Sequence, residues 1–194
     1  MHPLICHIRS RVAVSDSEAT SILSQFTPRV VKKSDHLFRA GQIAGCSAYV
    51  IRGCFRYYTT NESGDEFTTR FAFEDWWIGD LQSLFSGEPA GLSLQALETA
   101  EVLTVNKAGY DFLFANSPAF TELFRINRNK GFNRMSQLMI DRMSKTAEER
   151  YRDMLLQHPG ILQRIPLKYI ASYLGIKAPS LSRIRKNISH PPVI

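Results

Sequence analysis

Residues 165–187 read IPLKYIASYLGIKAPSLSRIRKN and predict a helix, a tight turn and a second helix. Pro166 and Pro179 stand where the two helices should begin, because the first helical position needs no N–H group and the ring already sets φ. An apolar stripe with spacing 0, 3, 4 and 7 lies between them, formed by Leu167, Ile170, Ala171 and Leu174. Gly175 follows the stripe directly and can adopt the left-handed conformation of a sharp turn. This order is the helix-turn-helix arrangement.

The second helix has two chemically different faces when its residues are placed at about 100° each. Leu181, Ile184 and Ile188 share one side. The other side is polar and carries Ser180, Arg183 and Asn187, with Lys186 beside them. Arginine can bond guanine O6 and N7 in a DNA major groove, and small hydroxyl groups reach base edges or phosphates. Taken alone, the motif fits a DNA-reading helix and an ordinary helical hairpin with a solvated basic face about equally.

The charge distribution favours the DNA-reading interpretation. Residues 1–140 hold 14 Lys and Arg against 14 Asp and Glu, whereas residues 141–194 hold 10 against 4, so the formal net charge of +6 lies in the last 54 residues. No acidic residue follows Asp153 in the sequence. A solvated face usually mixes both signs, so a segment of cations without counter-charge suits a polyanion such as nucleic acid better. These cations are Arg164, Lys168, Lys177, Arg183, Arg185 and Lys186.

Length and composition restrict the class of protein. A chain of 194 residues allows one or two domains, and its 44% of hydrophobic residues can bury a core. No run approaches the roughly 18 apolar residues that cross a bilayer. The amino end has a four-residue apolar patch followed by arginines, unlike a secretory signal. We therefore expect a cytoplasmic protein without a membrane partner.

Cysteine and histidine usage argues against a metal site. Cys6, Cys46 and Cys54 are too few and too scattered for a disulfide framework, a C-x-x-C metal pair or a four-ligand iron–sulfur cluster. The five histidines show no i,i+4 pairing. An enzyme built on a metal-binding barrel would need clustered histidines and carboxylates, yet the strand-rich region contains a single histidine, His36. We therefore expect that the protein binds no metal and is not an enzyme, and the sequence identifies no certain cofactor.

The amino-terminal part of the chain changes from a helical pattern to a strand pattern. Ser15 and Glu18 have the spacing of a capping box, and the apolar stripe behind them ends before Pro28. Residues 29–106 contain short segments rich in β-branched and aromatic residues, separated by turn signals. Many short strands at regular spacing are typical of an antiparallel sandwich or barrel.

A long helix is predicted from Ser117-Pro118 to about Met143. Apolar residues return in it at three- and four-residue steps, namely Leu123, Phe124, Phe132, Met135, Met139 and Met143. They either pack on the chain's own barrel or form a two-fold dimer seam, and the seam is favoured because DNA-reading helices of this kind usually work in pairs. A second capping box, Thr146 to Glu149, begins the first helix of a carboxy-terminal domain. The tail from Ser189 to Ile194 is too short for a full two-stranded wing.

Four segments in this order resemble the Crp/Fnr family of bacterial transcription regulators, with wording closest to the branch common in Bacteroidetes. They are Leu37–Gly41 with Tyr49–Gly53, Trp77–Leu81, Arg164–Ile176 and Leu181–Lys186. The resemblance covers essentially the whole chain and implies an α+β fold. Its parts are an N-terminal antiparallel β-roll, jelly-roll-like and of the cyclic-nucleotide-binding-domain type, a long dimerisation helix, and a C-terminal winged-helix-like helix-turn-helix domain. The expected boundaries are 1–115 for the sensor roll, 116–145 for the dimerisation helix and 146–194 for the DNA-binding domain.

The resemblance further implies a homodimer that binds double-stranded DNA at a palindromic operator, with half-sites about 34 Å apart, and it includes RNA polymerase among the expected partners. Arg183 matches the family's second base-reading arginine and is the strongest candidate for a guanine contact. Ala178 and Pro179 replace the usual arginine and glutamate, so the operator should differ from that of cyclic AMP-responsive members. Further DNA-binding candidates are Ser180 and Ser182 for base edges or phosphates, Lys177, Arg185 and Lys186 for phosphates, and Asn187 on the same face.

The predicted effector pocket departs from the family pattern. Cyclic-nucleotide-binding members carry G-E-L and, about nine residues later, R-S-A or R-T-A, whose arginine pairs with the cyclic phosphate. Here Gly79-Asp80-Leu81 begins the cassette and Ala90-Gly91 stands where the arginine would be. No basic residue lies between Arg70 and Lys107 in the sequence to compensate a phosphate. We therefore expect a small-molecule effector other than cyclic AMP or cyclic GMP, or none.

An alternative function remains open on this basis. The chain could be a cyclic-nucleotide-responsive or other small-ligand sensor whose C-terminal helices mediate protein contacts rather than DNA contacts. Such a protein would show no salt-dependent binding to any duplex.

Overall fold

Two antiparallel sheets, a long helix and a C-terminal group of helices make up the chain in the computed structural model, which describes residues 2–189. The strands are β1 Thr27–Val31, β2 His36–Phe38, β3 Ser47–Arg52, β4 Phe55–Thr60, β5 Glu66–Ala72, β6 Trp77–Ile78, β7 Ser93–Ala96 and β8 Ala100–Val105. The helices are α1 Pro3–Arg9, α2 Asp16–Ser24, α3 Leu81–Ser86, α4 Lys107–Asn116, α5 Pro118–Ser144, α6 Ala147–Gln157, α7 Ile161–Arg164, α8 Leu167–Leu174 and α9 Ala178–Ser189. The predicted α+β fold class is confirmed.

The strands form a roll of two four-stranded sheets. One sheet has the order β1-β8-β3-β6 and the other β2-β7-β4-β5, with every pair antiparallel. Alternate side chains of both sheets meet in a shared core that includes Val50, Phe55, Leu94 and Val102. The antiparallel sandwich predicted for residues 29–106 is confirmed. β2 and β6 were not predicted, because two or three residues are too few to show a period.

Helix α1 also escaped prediction. Leu4 and Ile8 on one side of it are fully buried, in a core with Tyr49 and Leu103 of the roll. Pro3 is its first residue, the position at which proline is tolerated best. Seven residues form only two turns, so the apolar pattern does not repeat often enough to be recognised.

The two predicted capping boxes fold differently. The Thr146 box is complete, with the Thr146 side chain and the Glu149 carboxylate each accepting a backbone N–H of the other residue. At Ser15 only half of the box forms, since the Glu18 carboxylate instead accepts the Ser117 hydroxyl at 2.6 Å and the Ala119 N–H at 3.1 Å. Glu18 thereby places a negative charge at the positive start of α5 and ties α2 to that helix.

Helix α5 is buried at its start and open further along. Phe120 and Leu123 are about 1% exposed, whereas Phe132, Met139 and Met143 are 73%, 67% and 84% exposed. The predicted long helix is therefore confirmed. Its first apolar residues are buried in the chain's own core, and the later ones are exposed on its surface. Although α5 has 27 residues, no helix within residues 2–189 is long and apolar enough to span a membrane.

The C-terminal helices form the predicted helix-turn-helix. Gly175 ends α8 with φ +69°, and the Ile176 N–H donates to the Ala171 carbonyl at 3.0 Å, which is the capped left-handed turn that the glycine predicted. Leu181 of α9 is 1% exposed and packs with Ile170 and Leu174 of α8. The prediction about a wing falls on the tail beyond Ser189, and residues 190–194 lie outside the described part of the chain.

The turn between β3 and β4 depends on glycine at position 53. Gly53 has φ +120°, and a Cβ atom placed there would lie 2.4 Å from the Ala100 Cβ. We expect Gly53→Ala to lower the free energy of unfolding by about 2–4 kcal/mol, since it combines backbone strain with overpacking. Urea denaturation measures this loss. Gly64→Ala is the matched control, because Gly64 also has positive φ but faces open space, and an equal loss in both variants would contradict the packing argument.

Candidate nucleic-acid interface and effector region

Helix α9 turns its polar face to solvent. Leu181 is buried, and Ile184 and Ile188 pack against the same core from the partly buried side of the helix. The candidate DNA-binding residues Lys177, Ser180, Ser182, Arg183, Lys186 and Asn187 are all exposed, and Arg185 is half-buried. Ser180, Arg183 and Asn187 share one open face with Lys186 beside them, whereas Ser182 and Arg185 lie further around the helix.

The charge on this face has no internal compensation. Lys177, Arg183 and Lys186 form no ion pair with any residue in the range 2–189. Three exposed cations beside serine hydroxyls and an asparagine give the donors that phosphate oxygens and base edges accept. These cations and hydrogen-bond donors can therefore bind a polyanion.

Arg164 does not belong to this free charge, which corrects the sequence prediction. Its guanidinium donates to Glu74 at 2.7 and 3.0 Å and to Glu98 at 2.5 and 3.2 Å. The hydrogen bonds that Arg164 donates to Glu74 and, next in size, to Glu98 raise its pKa. Burial acts to raise the pKa of Glu74, but the bonds from Arg164 and the Gly53 N–H outweigh it and leave that pKa lowered. The counter-charges lie in the roll, 66 and 90 residues away along the chain, where a local charge count cannot find them.

Helix α8 fixes the helix-turn-helix on the roll. The Ser172 hydroxyl donates to the Glu66 carbonyl and accepts the Thr68 N–H, both at 2.8 Å, so it completes the outer edge of β5. The Tyr169 ring covers the Arg56 guanidinium at 3.7 Å. Because α8 is held by this face, the polar face of α9 points away from the roll.

Arg56 is the least expected element of this interface. It lies on β4 with 1% of its side chain exposed, between the rings of Tyr58 at 4.1 Å and Tyr169. Its guanidinium donates to Gln95 at 2.8 Å and to Glu66 at 2.6 Å. Strand periodicity places Arg56 in the sheet but cannot show that a helix more than 100 residues later covers it.

The predicted effector pocket is occupied from inside the roll. The Gly79 N–H donates to the Tyr57 Oη at 2.7 Å, and that hydroxyl donates to the Gly79 carbonyl at 3.2 Å. Tyr57 is 3% exposed, and the Arg70 guanidinium lies 3.8 Å over its ring. Burial raises the pKa of the Tyr57 phenol, which stays protonated. Tyr57 was not among the predicted site residues, since nothing distinguishes it from its aromatic neighbours in β4.

The other predicted pocket residues also have internal roles. Asp80 caps α3 by accepting the Ser83 N–H at 3.0 Å, and Leu81 packs against the roll's amino-terminal core. Ala90 is 3% exposed and exchanges backbone hydrogen bonds of 2.9 Å with Gln42 and Gly41, whereas Gly91 is exposed. Within residues 2–189 no group of three or more His, Cys, Asp or Glu is placed to hold a metal ion.

Comparison with known proteins agrees with this architecture. The family described as "Cyclic nucleotide-binding domain" matches residues 28–117. No curated protein sequence matches the chain significantly. The match covers the strands of the roll and α4.

Solved structures extend the match beyond the roll. FixK2 from Bradyrhizobium japonicum superposes with a TM-score of 0.71 at 19% identity, over 84% of each chain. CLP from Xanthomonas campestris, described as a c-di-GMP responsive global regulator, gives 0.71 at 15% identity over 90% of this chain and 92% of its own. A Eubacterium rectale protein described as of the Crp/Fnr family gives 0.70 at 16% identity over 91% and 84%. The chain thus has the Crp/Fnr regulator fold, and the predicted resemblance is confirmed, while the Bacteroidetes branch stays a prediction.

The occupied cassette leads to a direct test with cyclic AMP. We expect calorimetry to show no micromolar binding, because Tyr57 already takes the Gly79 N–H and no arginine stands at position 90 or 91. Asp80→Asn keeps an acceptor for the α3 cap and removes the cassette carboxylate. Micromolar binding that this variant abolishes would show that the roll takes the nucleotide after all.

Proposed function

We propose that the protein is a homodimeric, sequence-specific DNA-binding transcription regulator and not an enzyme. The observation that carries this proposal is the exposed face of α9 with the preceding Lys177, where three cations that form no ion pair within residues 2–189 stand beside serine hydroxyls. The Crp/Fnr fold supports the proposal but does not by itself establish DNA binding. The domain boundaries expected from the sequence belong to the same proposal.

Different residues of α9 have different tasks. Arg183 lies in the middle of the open face and reads a guanine through two parallel hydrogen bonds, while Ser180, Ser182 and Asn187 reach neighbouring base edges or phosphates. Lys177, Arg185 and Lys186 contact phosphates, which positions the helix without selecting sequence. The sharp turn at Gly175 sets the angle between α8 and α9, and α9 is the helix that enters the major groove.

The exposed stripe of α5 supports the homodimer. Phe132, Met135, Met139 and Met143 repeat every three or four residues and are 48% to 84% exposed. They lie within one narrow arc of the helix, and a neighbouring arc with Arg134 and Leu138 lines a cleft shared with the roll and the C-terminal helices. Such a stripe matches the seam that a second copy would cover by two-fold symmetry, as a palindromic operator requires.

Arg183→Ala tests base reading. A duplex is first selected from a random pool with the full-length protein, and affinities are then measured by fluorescence anisotropy. We expect the variant to lose about 1–3 kcal/mol on the selected duplex and little on random DNA. Lys186→Ala should weaken both duplexes alike and reduce the slope of log K against log salt by about one per protomer.

The same measurements can contradict the proposal. An equal loss on both duplexes would make Arg183 a phosphate contact. No salt-dependent binding to any duplex would instead favour a sensor whose C-terminal helices contact protein.

Met139→Glu tests the dimer seam. A carboxylate at the centre of two facing apolar stripes would be desolvated without a partner, so we expect the dimer dissociation constant to rise at least tenfold in analytical ultracentrifugation. Asn133→Glu is the matched control, because it adds the same charge about 120° around the helix. Equal behaviour of the two variants, or a monomeric wild type at micromolar concentration, would refute the seam.

A further inference from the structure

A cleft of about 240 Å³ lies where the roll, α5 and the C-terminal helices meet. The roll contributes Arg70, Phe71 and Phe73 of the β5 edge. α5 contributes Arg134, Leu138 and Arg142, and the C-terminal helices add Arg150, Met154, His158 and Tyr173. The cleft is separate from the cassette at Gly79 and from the open face of α9.

Four arginines line this cleft without a carboxylate partner. Arg70, Arg134, Arg142 and Arg150 form no ion pair within residues 2–189. Arg142 donates to the Thr69 carbonyl at 3.2 Å and Arg150 to the Leu174 carbonyl at 2.9 Å. Arg70 and Arg134 lie over the rings of Tyr57 at 3.8 Å and Trp76 at 4.2 Å. Carbonyls and rings orient these cations but do not neutralise them.

The two acidic residues of the cleft share one lysine. Asp141 and Asp153 both bind Lys145, at 3.3 and 2.7 Å. Hydrogen bonds from Gln137 and Lys145 keep the pKa of Asp141 low, so its charge stays paired with that lysine. Because one lysine balances only one of the two carboxylates, the four arginines and Lys145 exceed the two aspartates by three positive charges within residues 2–189.

Like charges gathered around one cleft repel one another and favour a bound counter-ion. The Nε of Arg150 is buried and has no hydrogen-bond partner within residues 2–189. Burial lowers the pKa of Arg134, which shows that its cation is less well solvated than in water. An anion in the cleft would satisfy these donors and offset the mutual repulsion of the arginines.

The other walls set the kind of anion. Phe71, Phe73, Leu138, Met154 and Tyr173 form an apolar and aromatic lining. His158 stacks on Phe73 with 4.5 Å between ring centroids. Burial, and after it the charge of Arg134, lowers the pKa of His158, so its imidazole is neutral at pH 7. Such a lining suits the carbon skeleton of a small ligand whose charged group meets the arginines.

We propose that this junction cleft binds a small phosphate-bearing organic anion and is the effector site of the protein, in place of the occupied cassette in the roll. The claim that the ligand is the effector rests on the proposed function, whereas the claim that the cleft binds an anion does not. A ligand that touched Arg70, Arg134 and Arg150 together would connect the roll, α5 and the helix-turn-helix domain. Its binding would shift any equilibrium in their relative positions, and linkage would carry that shift to DNA affinity.

Calorimetry with pyrophosphate, at constant ionic strength set by chloride and without divalent metal, tests the binding part on the full-length protein. We expect a dissociation constant of about 1 mM or tighter, and a weakening of at least tenfold in both Arg134→Gln and Arg142→Gln, since each removes a charge-assisted contact. Two variants are used so that a folding defect in one, seen by circular dichroism, does not decide the result. Arg183→Ala is the matched control and should keep the wild-type affinity.

Three results would overturn the site. They are no binding below about 10 mM, equal affinity in all variants, or a loss confined to Arg183→Ala, which would place the anion on α9. The two proposals fail separately: a protein that binds pyrophosphate in the cleft but no duplex keeps the site and loses the regulator. One that binds duplex but shows no cleft-dependent pyrophosphate affinity keeps the regulator and loses the site.

Discussion

The burial of Arg56 is the constraint on which the arrangement of the two halves depends. A guanidinium on an inner strand is costly unless its charge and its donors find partners. Glu66 supplies the counter-charge and Gln95 a second acceptor within the sheet, while the buried Nη1 has no hydrogen-bond partner within residues 2–189. The remaining open side is covered by Tyr169 of α8. The helix-turn-helix domain thus completes the environment of a cation that belongs to the roll. A second set of contacts, Arg164 with Glu74 and Glu98, holds the same two halves at another point.

This docking explains why α9 is free. The polar side of α8 contacts the roll, with Ser172 bound to β5 and Tyr169 against Arg56 of β4. The apolar side of α8 packs against Leu181. α9 therefore packs with Leu181, Ile184 and Ile188, and its exposed cations Arg183 and Lys186 form no ion pair within residues 2–189. The same docking sets one wall of the junction cleft, since Tyr173 follows Ser172 and meets Phe71 with 5.3 Å between ring centroids.

Features that depend on residues close in the sequence were predicted correctly, whereas contacts between residues distant in the sequence were not. The Thr146 capping box, the left-handed Gly175 and the two faces of α9 each depend on residues within one or two turns, so spacing alone predicted them. Arg164 was misjudged because its carboxylates lie in β-roll loops far along the chain. Likewise the sequence shows that the cassette lacks its arginine, but it does not show that Tyr57 binds Gly79. Only the folded strand register brings the Tyr57 hydroxyl to the Gly79 N–H. Glu18 was assigned to its own helix start although α5 competes for the same carboxylate.

The excess positive charge of the C-terminal part is divided by these contacts into two surfaces of different shape. Lys145, Arg152 and Arg164 are used in ion pairs. Arg142 and Arg150 remain in the cleft, and Lys177, Arg183 and Lys186 remain on α9. The cleft is walled by aromatic rings and is too small for a duplex, whereas α9 is an open helix face that fits a groove about 12 Å wide. Charge alone would attract nucleic acid to both, so it is the geometry imposed by the docked α8 that separates a surface for a polymer from a site for a small anion.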